Sequence, residues 1–328
     1  MVQIMRYDIG TALNGAAGAR TPVCVSFNGG AWRGIFFAGV VEQIQATFDA
    51  SEIDAWSFCG SSAGACYALA LAMGYPAEGV KKLLCEATAR ARCHTLGVAF
   101  RVNDITGQII LDMVATMDED ELLRRLHDRF AICFTAVGCD CVPRAYLAFN
   151  FSSKADLFNA CKGSANIPLF SSLTDFPRIG GLRSYDGGFT PDGCVPLLRA
   201  RCNVFTMCFG DAEGRGLSLK KNPLPPGVEL DIAEKNPPVP ITACYRCPKN
   251  DEEVYETAER GRILAAAFFS SDTWLRRYAK AAGFPPLTVA NLVARTEAGV
   301  GGGEAPVDVR GCEDLGVGGR DGIGAPTE

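Results

Sequence analysis

The chain has 328 residues, 48% of them hydrophobic and 21% charged, enough to bury the core of one large α/β domain with additions. Its formal net charge of -5 offers no basic footprint for nucleic acid, which excludes that class of partner from the reading. The fifteen cysteines are scattered through apolar runs, as at Cys24, Cys59, Cys66, Cys133 and Cys208, which fits buried reduced thiols in a cell interior better than a disulfide framework.

Residues 1–20 read as an N-terminal extension. They lack the charged start and apolar core of a secretory signal, while Arg6 and Arg20 with little acid nearby keep organelle import open. No apolar run approaches bilayer-spanning length, so a cytoplasmic protein is expected, with peripheral contact to a membrane surface allowed. The ordered chain is expected to begin at Thr21, where Pro22 to Phe27 reads as a buried strand. A glycine loop follows, Asn28-Gly29-Gly30-Ala31-Trp32-Arg33-Gly34, and then a helix from Ile35 to about Phe48 with Phe36, Val40 and Ile44 on its buried face.

Successive glycines in such a loop let backbone N–H groups converge on open space as an anion nest. A phosphate loop would need Lys and then Ser or Thr after the last glycine, but Ile35 and Phe36 stand there, and the G-x-G-x-x-G spacing is absent. An oxyanion hole is the remaining functional reading, with the Gly29 and Gly30 N–H groups as leading donors and Arg33 fixing the loop. The bland alternative is a turn that only packs a helix on the sheet.

The next strand, Ala55 to Cys59, runs into Gly60-Ser61-Ser62-Ala63-Gly64 and a helix rich in small apolar residues. Strand, sharp turn and helix form the setting of a nucleophile elbow, with Ser62 at a helix N-terminus that favours developing negative charge. Gly74 and Pro76 end that helix, and Ala77 to about Arg92 reads as another. Residues 94–118 show no assignable pattern. An amphipathic helix is expected over Asp118 to Arg129, strands over Ala131 to Val137 and Ala145 to Phe149, and a helix from Lys154 to about Gly163. Alternating strands and helices argue for a three-layer α/β/α sandwich.

The sequence then reaches Asp186-Gly187-Gly188, which taken alone is usually a turn. Its interest comes from the histidines. A serine nucleophile needs a base, yet the chain has only His94 and His127, both before Asp186 and both read as structural or solvent-facing. Either Ser62 is inert or a carboxylate acts on it directly. The lone C-x-x-C, Cys244 to Cys247, and the C-x-C at Cys139 and Cys141 lack a second ligand pair at zinc spacing, so no metal site is expected.

Taken in order, the loop Asn28 to Gly34, the elbow Gly60 to Gly64 and Asp186-Gly187-Gly188 resemble the patatin-like phospholipases. The stretch Ala160 to Pro168 is similar to the segment before that family's Asp-Gly motif, and the whole resembles the animal triglyceride-lipase branch more than tuber patatin. The match covers about residues 21–200. It implies a patatin-like α/β/α fold and hydrolysis of lipid acyl esters (EC 3.1.1.-) through an acyl-enzyme intermediate, without metal or cofactor. It also implies a catalytic dyad of Ser62 and Asp186. Gly29, Gly30, Ala31, Arg33 and Gly34 would form the oxyanion loop, and Gly60, Gly64, Gly187 and Gly188 would support the motifs. Ala31 stands where the family commonly has a third glycine, and Asn28 where it has an acidic residue.

Residues 21–285 are thus expected to form one catalytic domain, with a lid-like loop at Gly210 to Pro240 and a long C-terminal helix from Asp251 to about Ala282. That helix would turn Ile263, Leu264, Phe268 and Phe269 inward. Phe36, Phe37, Leu169 and Phe170 are candidates for a membrane-facing rim or for core. Residues 296–328, with ten glycines from Gly299 onward, are expected to be a disordered tail. Substrate would come from lipids of a membrane or lipid-droplet surface. The rival readings are a catalytically inactive lipid-binding or interaction protein on the same fold, and an acyltransferase or thioesterase using the same dyad.

Overall fold

A computed structural model describes residues 2–7, 21–94, 99–138, 141–168, 170–171, 177–190, 200–206, 228–230 and 246–270. Its centre is a mixed sheet in the order β1-β5-β4-β3-β2-β8-β9 with helices packed against it, an α/β architecture. The strands are β1 (Gln3–Arg6), β2 (Thr21–Phe27), β3 (Ser57–Ser61), β4 (Phe130–Val137), β5 (Pro143–Phe149), β8 (Ala200–Thr206) and β9 (Val228–Leu230). Strands β4, β3, β2, β8 and β9 run parallel; β5 turns back antiparallel along the other edge of β4, and β1 pairs antiparallel with the outer edge of β5. A short hairpin, β6 (Arg178–Ile179) and β7 (Leu182–Tyr185), completes the sheet by pairing β7 antiparallel to β4.

The parallel core follows from the connections. Between β2 and β3 the chain forms α1 (Phe36–Thr47) and α2 (Ala50–Asp54), and between β3 and β4 it forms four helices. These are α3 (Ala63–Met73), α4 (Ala77–Arg92), α5 (Val102–Val114) and α6 (Glu119–Leu126). Crossovers of this length return a strand to the same direction, whereas the short corner between β4 and β5 permits only an antiparallel neighbour. Helix α7 (Lys154–Ser164) starts at Ser153, whose hydroxyl accepts from the Asp156 N–H.

Helix α3 is buried on nearly every side, as expected for Ala65-Cys66-Tyr67-Ala68-Leu69-Ala70-Leu71-Ala72-Met73, and ends at Gly74 in the left-handed conformation. Phe27, Phe37, Phe58, Phe130 and Phe134 form the aromatic heart of the core around the sheet. Phe36 and Phe37 are 3% and 0% exposed, so of the two expectations for them the core is the one realised. Helix α8 (Asp251–Phe269) packs along α1. Of its expected inward residues Phe269 is buried and Leu264 and Phe268 are partly so, but Ile263 is 54% exposed. The helix turns Val254, Ala258, Gly261 and Ala265 inward instead, at spacings of four, three and four.

Other expectations are corrected or left aside. The ordered chain starts before Thr21: Gln3–Arg6 pairs with Tyr146–Phe149 as an edge strand. Within the lid-like stretch, residues 228–230 form β9 beside β8, and the rest of 210–240 lies outside the described residues, as do residues 271–328 and Leu169. No helix among the described residues is long and apolar enough to cross a membrane.

The contact between α1 and α8 is unusually close because a glycine faces the other helix's backbone on each side. A Cβ on Gly39 would lie 1.7 Å from the Ala258 carbonyl oxygen, and one on Gly261 would lie 1.9 Å from that of Phe36. Neither neighbour is a side chain that could swing away. Gly39→Ala is therefore expected to cost at least the upper part of the ordinary overpacking range of about 1–3 kcal/mol. Urea unfolding followed by circular dichroism checks this, and an unchanged midpoint would contradict the packing.

Candidate active site

The site lies where the C-terminal ends of β2 and β3 come out beside the middle of β4. Phe27 is paired with Gly60 and Ser61 with Cys133, so the loop after β2 and the turn after β3 emerge side by side. In open parallel sheets this end is where chemistry collects. Ser62 occupies the turn between β3 and α3 with φ 54° and ψ -132°, a conformation that non-glycine residues adopt only under constraint.

Close backbone approach supplies that constraint. A Cβ on Gly60 would fall 2.5 Å from the Gly64 carbonyl oxygen, and one on Gly64 would fall 2.3 Å from that of Phe27. The Ser62 N–H donates to Ser164 Oγ at 2.8 Å, and Ser164 Oγ donates in turn to the Cys133 carbonyl. Ser62 is 8% exposed.

Asp186 arrives from the opposite direction. β7 runs antiparallel along the β4 edge that β3 occupies lower down, with Ser184 opposite Ala136 and Tyr185 opposite Thr135. The two strands thus converge head-on along one rail, and Asp186 follows directly at the meeting point. Gly187 seats the turn: a Cβ there would lie 2.6 Å from Ser61 Cβ and 2.7 Å from the Cys133 carbonyl oxygen. Asp186 Oδ1 accepts from the Gly188 N–H at 2.8 Å, and the Asp186 N–H donates to the Asn166 carbonyl at 2.8 Å.

Burial pushes the Asp186 carboxyl up from 3.8 to about 6, held back by the Ser62 side chain and the Gly188 N–H. Asp186 Oδ2 is buried and meets no partner at hydrogen-bond geometry.

On the other side of Ser62 lies the glycine loop. A Cβ on Gly29 would be 2.8 Å from Ser62 Cβ, so the loop touches the serine. The Gly29 N–H, expected to face an oxyanion, donates to Ser61 Oγ at 3.1 Å. Gly30 and Ala31 come next, as the chain enters the 3-10 turn Ala31–Ile35, where the Arg33 N–H donates to the Gly30 carbonyl at 3.0 Å. Ala31 has φ 48°, in the left-handed region where a glycine would be unstrained. Gly34 packs on α3, since a Cβ there would be 3.2 Å from the Tyr67 ring and 3.3 Å from Ala63 Cβ.

An apolar pocket opens beside Ser62. Its walls come from the glycine loop (Ala31, Trp32, Ile35), from α3 and α4 (Cys66, Leu83, Leu84), and from α5 (Val102, Ile105, Ile109, Met113). Ile167 and Phe170 close one side, so Phe170 lines the pocket and is half-buried. Helix α5 is the element that residues 94–118 conceal in sequence, although Val102, Ile105, Ile109 and Met113 already stand at helical spacings. Ser164 and Asn166 carry no sequence signal of their own; their contacts are with residues 102 and 20 positions away, Ser62 and Asp186.

His94 and His127 are both exposed. Among the described residues no group of three or more His, Cys, Asp or Glu side chains is placed to hold a metal ion.

Burial of Asp186 has a consequence for stability. Its folded pKa lies above the unfolded one, so between about pH 4 and 6 the folded state binds more protons, and stability from this group falls as pH rises through that window. Asp186→Asn keeps the acceptor for Gly188 and removes the buried charge. It is expected to raise unfolding free energy at pH 8 by on the order of 2–3 kcal/mol relative to the parent, with the gain vanishing below pH 4. Thermal melts at the two pH values check it; equal midpoints for both proteins at pH 8 would contradict the burial.

Comparison with known proteins adds an independent line. Residues 25–198 match the family model described as patatin-like phospholipase. The chain is 27% identical over 180 residues to the mouse (Mus musculus) 1-acylglycerol-3-phosphate O-acyltransferase Pnpla3, an alignment covering 55% of this chain and 42% of that protein. It therefore spans less than half the length of that relative. A solved structure from the heterodimeric ExoU-SpcU complex of the Pseudomonas aeruginosa type III secretion system aligns with 86% of this chain and 60% of its own, at 16% identity and a TM-score of 0.35.

Proposed function

This chain belongs to the patatin-like phospholipase family, and from that membership we propose that it hydrolyses lipid acyl esters through a dyad of Ser62 and Asp186. The observation that carries the reading is the convergence of a strained serine at a helix N-terminus with a buried carboxylate beside an apolar pocket.

Asp186 takes the Ser62 hydroxyl proton as Oγ attacks the ester carbonyl. The tetrahedral oxyanion is held by the Gly30 and Ala31 N–H groups, because the Gly29 N–H is already engaged with Ser61. The proton on Asp186 passes to the leaving alcohol or lysolipid, and the acyl chain lies in the pocket along α5. Water enters, gives a proton to Asp186 and attacks the acyl-enzyme; collapse releases the fatty acid and returns the proton to Ser62. The substrate is a lipid of a membrane or droplet surface, since a pocket with this lining admits an acyl chain and no polar head group.

A second reading has one observation behind it, the likeness to the mouse protein named as a 1-acylglycerol-3-phosphate O-acyltransferase. The same acyl-enzyme would then be resolved by a lipid hydroxyl in place of water. Incubation with a labelled acyl donor, with and without 1-acylglycerol-3-phosphate, separates the two by whether free fatty acid or a diacylated product accumulates.

Two outcomes test the dyad. Ser62→Ala and Asp186→Asn are each expected to lower turnover of a p-nitrophenyl acyl ester by at least about a thousandfold while the proteins remain folded. In the parent, kcat/KM should rise with pH through about 6 and then level, since the base must be ionised. Retention of most activity by either variant would sink the assignment.

The oxyanion loop has its own test. Ala31→Gly keeps the backbone donor and suits φ 48°, so activity should be retained. Ala31→Val puts a β-branched residue there and is expected to lower kcat on the order of a hundredfold by displacing the donors. Equal kcat for the two variants would remove Ala31 from the oxyanion hole.

A further inference from the structure

The geometry points to Ser164 as a positioning residue that splints the serine and aspartate strands together at their meeting point on β4. The inference rests on the Ser62 and Asp186 dyad reading and extends it to the segment that aligns the pair.

Two residues at and just beyond the end of α7, Ser164 and Asn166, touch the two halves of the site. Ser164 is 0% exposed and uses its hydroxyl in both directions, accepting from the Ser62 N–H and donating to the Cys133 carbonyl on β4. Two residues on, the Asn166 carbonyl accepts the Asp186 N–H. Asn166 Nδ2 donates to the Ser184 carbonyl at 2.9 Å, which ties the segment to β7, and its Oδ1 accepts from Asn103 Nδ2 at 3.4 Å, which ties it to α5. The nucleophile's backbone, the base's backbone and the pocket wall are therefore referenced to one short stretch.

The packing leaves that stretch little freedom. A Cβ on Gly163 would lie 2.3 Å from Ser184 Oγ, and Ser184 Oγ is itself held by the Pro177 carbonyl at 2.8 Å. The hydroxyl of Ser164 has one proton and it goes to Cys133, so only its lone pairs face Ser62 and its role toward the serine is that of acceptor alone. It touches a backbone N–H and no reacting atom. Its effect must therefore run through the orientation of Ser62, whose φ of 54° is not one that the residue would hold unaided.

Removal of the acceptor lets the Ser62 turn relax, and small displacements of a reacting group are costly in rate. The test compares four proteins on a p-nitrophenyl acyl ester: parent, Ser62→Ala, Ser164→Ala and Leu157→Val. Leu157 is buried on the same helix, lines neither the pocket nor the dyad, and matches a loss of stability without touching the splint. Ser164→Ala is expected to lower kcat about ten- to a hundredfold with KM within about threefold of the parent, while Leu157→Val lowers the melting temperature and keeps kcat.

Should Ser164→Ala not fold, Ser164→Cys keeps the volume with a poor acceptor and is expected to lower kcat in the same way. If activity depends on Ser62 and the Ser164 variant keeps the parent's kcat, or if Leu157→Val loses kcat as much, the splint is overturned and the dyad stands. If the parent's activity survives Ser62→Ala, the dyad fails and the splint with it.

Discussion

One edge of β4 organises this molecule. β3 pairs with its first half in parallel and β7 with its second half antiparallel, so two chain segments that are remote in sequence point their ends at each other across Cys133 and Phe134. Ser62 leaves one end and Asp186 the other. A sheet edge shared in this way fixes distance and direction together, because both strands are held by ladders on the same rigid partner. In the proposed dyad it removes the need for a third residue to carry the base toward the nucleophile, which suits a chain whose two histidines both lie exposed.

The convergence has physical costs that appear as local departures from ordinary structure. Ser62 and Ala31 both hold positive φ, and the Asp186 carboxyl is buried with its pKa raised to about 6. Each is disfavoured alone, by about 1–3 kcal/mol for a strained backbone residue. They persist because the surroundings over-determine them: glycine backbone contacts at Gly60, Gly64 and Gly187, the Ser164 hydroxyl, and the tight α1 to α8 contact behind the glycine loop. The same raised pKa keeps Asp186 basic enough to accept a proton near neutral pH.

Much of this is legible in the sequence, for reasons that differ by element. β2, β3 and β4 read as strands because both their faces are buried, giving short continuous apolar runs bounded by turn residues. The elbow and Asp186-Gly187-Gly188 stand out because close backbone approach at Gly60, Gly64 and Gly187 leaves no room for a side chain. The helix over Val102–Val114 escapes because Asn103, Asp104, Thr106 and Gly107 dilute its first two turns, although its pocket face keeps helical spacing. The short helix Ala50–Asp54 carries a readable capping box in Asp49 and Glu52. β1 and β7 are too short and too exposed to show a period. Ser164 and Asn166 have no local signature at all, since what they do is decided by which strands the fold brings past them.

The most direct test of the central claim is covalent. A fluorophosphonate should phosphonylate Ser62 and no other serine, with the adduct located by peptide mass spectrometry. Labelling should rise with pH through about 6 and disappear in Asp186→Asn, because the attacking oxygen depends on that carboxylate. Absence of an adduct on Ser62 in the parent protein, with or without lipid micelles, would contradict the account and favour a lipid-binding protein that keeps the fold without turnover.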